Sequence, residues 1–362
     1  MSVRFFLLLL IALFAINASA EDESGGWKPS ATEFDWLQLT SGEWLKGEIK
    51  SMYNETIEFD SDKLKLLSIS LGDVKYLQSF SAIHVSLEGY GVVTGILKIS
   101  DQIITVLDGD TARNFSRKEL VSFTPAGDSE LDLWDSKFSL SFNIRQGNTE
   151  QLDYSASFSG KRRTAESRLA VDYIGNISKT DAVTGALSET INNHRLIVSL
   201  DRYVSREFFY TPLSSEYYRD PFQNIDMRLS IGAGLGYILY DTSRLEWDIN
   251  AGPSLLRTQY ISVQDGEKQR VDSAAFSLGM NVDASLNSRV DFLFRYNVQF
   301  SRKDAGGYTH HMIATFENEL TSNLDLDVSL VWDRISQPTT DSAGVVPQPD
   351  DYRLMLGVGY SF

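Results

Sequence analysis

The sequence predicts an all-β protein: a C-terminal 12-stranded antiparallel transmembrane β-barrel, preceded by a small two-repeat, SH3-like β domain in the periplasm. Three observations carry that prediction. From Trp134 onward, apolar and polar residues alternate over runs of up to eleven residues. Such runs exceed the ~5–6 residues of an ordinary globular strand and match the ~9–11 residues a tilted strand needs to cross a bilayer. The connections between the runs alternate between short and long, and upstream of them a block of sequence recurs at a period of 48.

The chain opens with Arg4, an apolar run from Phe5 to Ile16, and the small-residue end Ala18-Ser19-Ala20. These are the parts of a secretory signal peptide, cleaved after Ala20. The apolar run is too short for a membrane helix, which needs ~20 residues. Residues 21–26 read as a flexible linker.

Residues 27–126 contain the repeat. Leu39 matches Leu87, Gly47 matches Gly95, Ile49 matches Leu97 and Lys50 matches Lys98; further on, Ile57 and Phe59 match Ile104 and Val106, and Asp73-Val74 matches Glu119-Leu120. Short alternating runs broken by Gly, Asn and Asp are the mark of strands and hairpins. Two copies of a small curled antiparallel unit follow, suited to binding a periplasmic protein or the cell wall, or to spacing. Residues 127–133, polar and containing Gly127, read as a linker to the barrel.

Residues 134–362 hold twelve runs, centred on 138–144, 152–158, 169–173, 196–200, 208–212, 229–237, 245–251, 274–282, 290–300, 312–320, 324–332 and 352–362. Lys161–Ala165, Tyr203–Ser205, Asp241–Arg244, Asn287–Ser288 and Thr321–Asn323 read as short turns, and Gly175–Ile191, Ser262–Gln269 and Ile335–Asp350 as long polar loops. An even strand number with short periplasmic turns and longer outer loops is the pattern of outer-membrane barrels. Trp134, Tyr173, Tyr237, Trp247, Trp332 and Tyr360 stand near run ends, where interfacial girdles sit. Phe362, last on the apolar face, is the kind of terminus the barrel assembly machinery recognises.

Several stretches carry a more specific likeness: Gly147-Asn148-Thr149-Glu150, Arg162-Arg163-Thr164-Ala165-Glu166, Ala251-Gly252-Pro253 and above all the block from Phe222 to Tyr237, FQNIDMRLSIGAGLGY. Over about residues 134–362 the chain resembles the bacterial family called domain of unknown function 481, whose members are often labelled salt-induced outer membrane proteins. The resemblance implies an outer-membrane barrel and supplies no catalytic residues. The N-terminal repeat is similar to a small β extension that some members carry.

Composition narrows the chemistry. With 33 Lys and Arg against 49 Asp and Glu, the net charge of −16 disfavours nucleic acid as a partner. The absence of cysteine excludes disulfides, thiol catalysis and Cys-ligated metal. Gly232, Gly234 and Gly236 fall inside a strand with no helix following, so they read as inner-face glycines allowing curvature or an open lumen rather than a phosphate loop. His310 and His311 are adjacent in a strand, point to opposite faces and cannot chelate one ion. No cofactor, metal or enzymatic activity is expected.

Assigning the polar face inward gives a lumen lined by Arg145, Arg168, Arg195, Arg228, Arg295 and Arg353, with the acids Asp153, Asp172, Asp201, Glu246, Asp248, Asp283, Asp291, Glu317, Asp325, Asp327 and Asp333. Small serines and glycines lie between them. Eleven acids against six arginines suggest a water-filled pore with weak cation preference in the outer membrane of a Gram-negative bacterium. The alternative is a barrel closed by internal ion pairs that tethers the envelope through its N-terminal module.

Overall fold

The computed structural model describes residues 33–53, 55–127, 129–145, 150–181, 188–242 and 244–362. The expected signal peptide with Ala20, residues 21–26 and the Gly147–Thr149 motif residues lie outside them. Residues 35–125 form nine strands: β1 (Asp35–Leu39), β2 (Trp44–Tyr53), β3 (Thr56–Ser61), β4 (Lys65–Ser70), β5 (Val74–Leu87), β6 (Gly91–Ser100), β7 (Ile103–Asp108), β8 (Thr111–Ser116) and β9 (Leu120–Pro125). Their order is β4-β3-β2-β1-β5-β6-β7-β8, and β9 pairs with β5 and β2. The sequence repeat is a structural one. Strands β2, β3 and β4 recur as β6, β7 and β8, and a 3-10 turn follows each set, at Leu71–Asp73 and at Arg117–Glu119.

The 14-residue β5 belongs to both copies. Its first half pairs with β1, its second half with β9, and β6 lies along both. A bulge between Gln78 and Ala82 marks the change. There the buried Asp35 carboxylate accepts the Phe80 and Ile49 amides, each at 2.6 Å, and Ser79 Oγ accepts the Leu97 amide at 2.8 Å. The matched glycines have one cause. A Cβ on Gly47 would stand 2.1 Å from the Asp60 carbonyl oxygen, and one on Gly95 2.3 Å from that of Leu107, so both copies need a bare Cα where the next strand crosses. Leu37, Ile49, Met52, Ile57, Phe59, Leu77, Val85, Leu97, Ile104, Val106 and Phe123 close into one dry core.

A 3-10 turn at Glu130–Leu133, held by Asp132 Oδ2 accepting the Ser129 amide and hydroxyl, occupies the stretch read as a linker. Twelve strands follow: β10 (Trp134–Arg145), β11 (Glu150–Thr164), β12 (Ser167–Asp181), β13 (Ser188–Tyr203), β14 (Phe208–Asp220), β15 (Ile225–Thr242), β16 (Leu245–Tyr260), β17 (Arg270–Asn287), β18 (Val290–Phe300), β19 (Tyr308–Thr321), β20 (Leu324–Ile335) and β21 (Asp350–Ser361). They close in chain order into an antiparallel barrel, β21 meeting β10 over five pairs from Lys137–Ser361 to Ser141–Gly357. Large apolar side chains such as Phe138, Leu140, Leu213, Leu255, Leu330, Leu354 and Leu356 stand exposed on the outer wall, while the alternate positions face inward.

The strands outrun their apolar centres. The expected loop at Gly175–Ile191 is mostly ladder: β12 and β13 continue pairing to Thr180–Ser188, which leaves 182–187 outside the described residues. Likewise Lys161–Thr164 belongs to β11 rather than to a turn. At the long-loop end Tyr218, Ile225, Leu256, Tyr260, Val271 and Ile335 pack with Ala305 from the β18–β19 loop and narrow the bore.

Candidate functional site

The inward positions of the strands line a central cavity of about 360 Å³. Its wall on β14–β17 carries many small groups, among them Ser214, Ser230, Gly234, Gly252, Ser254, Ser277 and Gly279; the other strands contribute Ile174, Ile197, Ile313 and Met355. The glycines here serve close packing. A Cβ on Gly252 would meet the Ala233 carbonyl oxygen at 1.9 Å, and one on Gly236 would meet the Phe209 ring at 2.0 Å.

Charged groups above and below the cavity are paired across it. Toward the short-turn end, Arg168 reaches Asp201 at 3.0 Å, Glu246 at 2.7 Å and Asp248 at 3.5 Å. Thr211 donates to Asp201 at 2.6 Å and Asn281 donates to Asp248 at 2.8 Å. Beside them Asp283 binds Arg295 and Lys161, the latter at 2.9 Å. Because β17 lies six strands from β11 in a ring of twelve, the Lys161–Asp283 pair spans the bore. Toward the long-loop end, Asp333 gathers Arg195 at 2.7 Å, His311 Nδ1 at 2.8 Å and Arg353, while Arg195 also binds Glu216. This joins β20 to β13 across the lumen. A third cluster lies along one wall, where Lys137 meets Glu317 at 2.8 Å, Asp325 at 3.1 Å and Asp327 at 2.8 Å. In so enclosed a space, removing one partner of such a pair would leave the other poorly hydrated and without its hydrogen bonds.

The remaining predicted residues stand apart from these clusters. Asp172 accepts from Ser159 at 2.7 Å, Asp153 accepts from Gln151 and Ser178, and Arg228 donates to Gln299 and Thr309 at 3.3 Å each. Asp291 lies opposite Glu317 in the β18–β19 register. The side chain of Arg145 is outside the described residues. Sequence reasoning missed Lys137, Lys161, Arg163 and Glu216. All four are in phase with lumen residues, Lys137 with Ser139 and Lys161 with Ser159, so extending the alternation beyond the apolar centres would have found them. They add three cations and one acid to the predicted inward set.

The histidines divide as adjacent strand residues must. His311 faces Asp333, while His310 faces outward with Nδ1 2.7 Å from the Tyr296 hydroxyl and its ring stacked on Trp332, which stacks in turn on Tyr352. Among the described residues no group of three His, Asp or Glu has metal-holding geometry.

A family model described as "Protein of unknown function, DUF481" matches residues 138–362. The chain belongs to that family. No curated protein matches this DUF481 chain. Among solved structures it is similar to the NanC porin, at 11% identity over 63% of this chain and 100% of that one with a TM-score of 0.37. It is also similar to the translocator domain of the autotransporter NalP from Neisseria meningitidis, at 11% identity over 63% and 87% with a TM-score of 0.34. A third is the KdgM porin in complex with disordered oligogalacturonate, at 11% identity over 63% and 99% with a TM-score of 0.31.

Proposed function

We propose that the protein is an outer-membrane barrel whose lumen passes ions and small solutes through ion-paired constrictions, with a weak preference for cations. The observation that carries this reading is the roughly 360 Å³ cavity bounded on both sides by paired charges rather than filled by packed side chains. Membrane placement is supported by the apolar outer wall and by the aromatic row Tyr296, His310, Trp332 and Tyr352 near the long-loop ends of four consecutive strands, as an interfacial girdle requires. The N-terminal module packs against the short turns, so in the usual orientation it and the chain end at Phe362 face the periplasm.

The cross-lumen pairs Lys161–Asp283 and Arg195–Asp333 favour a second reading, a non-conducting barrel that tethers the envelope through a periplasmic or cell-wall partner of the module. Planar-bilayer recording separates the two. A pore gives small, cation-preferring steps whose selectivity weakens at molar salt, where the Debye length falls to ~3 Å. Neutralising Asp248, Asp291 and Glu317 together reduces that preference. Anion preference overturns the charge assignment, and silence from a folded, inserted sample selects the structural barrel.

A further inference from the structure

The N-terminal module and the barrel meet through charged side chains at the short-turn end. Arg206, in the turn between β13 and β14, directs its guanidinium into the module: Nε donates to the Leu120 carbonyl, Nη2 donates to the Arg117 carbonyl at 2.8 Å, and Nη1 pairs with Glu55. Glu55 belongs to the first repeat copy and Arg117 and Leu120 to the second, so one side chain reads both. Arg117 in turn fastens the copies together by donating to the carbonyls of Leu71, Val74 at 2.8 Å and Asp101 at 2.9 Å. The arginine therefore grips a surface that exists only when both copies are folded against each other. One turn away, the Ser122 hydroxyl donates to the Ala165 carbonyl, and Ala165 is 3% exposed.

The position of this contact is as informative as its strength. Arg163 points into the lumen, where it pairs with Glu246 on β16 at 3.2 Å, and the same guanidinium lies 5.4 Å from the centre of the Tyr53 ring at the end of β2. A side chain at the inner mouth of the bore thus touches the module directly. Arg162, facing out, binds Glu130 in the 3-10 turn that joins module to barrel. Contacts on the lumen side, the outer side and the turn tips together hold the module over this mouth.

We infer that the module is a docked lid on the short-turn mouth of the barrel and that Arg206 is the latch that holds it there. The inference goes beyond the proposed passage of solutes, because a lid limits entry to the lumen whether or not the bore conducts. The chain contains no cysteine, so one placed inside the lumen reports access without background. Ser199 lines the cavity two positions before Asp201 and holds none of the ion pairs.

The test is the rate at which a bulky, charged maleimide modifies Ser199→Cys in the full-length protein. Arg206→Glu, which sets a carboxylate against Glu55 and two carbonyls, should raise that rate about tenfold by populating the undocked state, and Arg206→Lys should return most of it. Cleavage of the 126–133 connection by added protease, read on the same samples, reports undocking independently. Faster cleavage with unchanged labelling overturns the lid; unchanged cleavage and labelling overturn the latch. A chain that gains labelling but carries no current keeps the lid and loses the pore, whereas a conducting chain with unchanged labelling does the reverse.

Discussion

The module and the barrel are written in the same alternation and wear it in opposite directions. In the module the apolar set Leu37, Ile49, Ile57, Phe59 and Val106 is sealed inside and the polar set meets water. In the barrel the apolar set Leu140, Leu330, Leu354 and Leu356 stands outside, and arginines and aspartates are paired inside. A period of two says only that a strand has two unlike faces. Which face is buried depends on strand length, on the solvent beyond the outer wall, and on whether the sheet closes around space or around side chains.

Substitutions can break or sharpen that contrast. The largest effect is expected at Phe59, fully buried in the module: Phe59→Ala should cost the module about 3–5 kcal/mol. The same truncation on the barrel wall, Phe294→Ala, should cost far less, because lipid or detergent fills the space. Proteolysis across a urea series, scored separately for module and barrel fragments, measures both, and equal losses would undo the distinction. Next is charge on the outer wall. Leu330, 42% exposed on the wall, becomes a membrane-depth cation in Leu330→Arg, at about 2–4 kcal/mol, while Ser277→Arg toward the lumen should cost much less. Refolding into lipid vesicles gives the numbers, and matched losses would mean that Leu330 meets water.

A smaller effect is expected at Asp35, whose two oxygens each accept a backbone amide. Asp35→Asn keeps one acceptor and turns an amide group toward the other donor, costing about 1–3 kcal/mol. Burial lifts the Asp35 carboxyl above its ordinary range against the pull of those two donors. A raised folded-state value favours the protonated form, so this group's contribution is full below the ordinary carboxylate range and is lost as pH rises through the raised value. Denaturant midpoints measured across that interval should fall with pH in the parent and stay flatter in Asp35→Asn; an identical slope would remove Asp35 as its source. The smallest effect belongs to Ile103, 55% exposed on the module. Ile103→Arg should change stability by no more than about 0.5 kcal/mol, in direct contrast to Leu330→Arg.

The apolar skeleton of both regions was legible because it repeats every second residue, and the duplicated module because Gly47 and Gly95 answer the same crossing strand. Strand ends were not. Beyond the apolar belt no greasy face is needed, so outward positions such as Gly175 and Lys179 continue the ladder opposite His194 and Glu189, and the stretch reads as a loop. The same blind spot hid Lys161, Arg163 and Glu216. Ion-pair partners were invisible for another reason: which residue of β17 faces Lys161 depends on the stagger at which the twelve strands close. Nothing local in the sequence marks Arg206, since its carbonyl partners lie 86 and 89 positions away in the chain.

The shared β5 has a consequence for the ancestry and the divisibility of the module. Two five-stranded copies drawn with nine strands are not beads on a string: whichever copy is cut away takes half of β5 with it and leaves its sibling open along one side. Copy number in such a chain can grow only by extending the existing ribbon, and the smallest heritable unit is the pair.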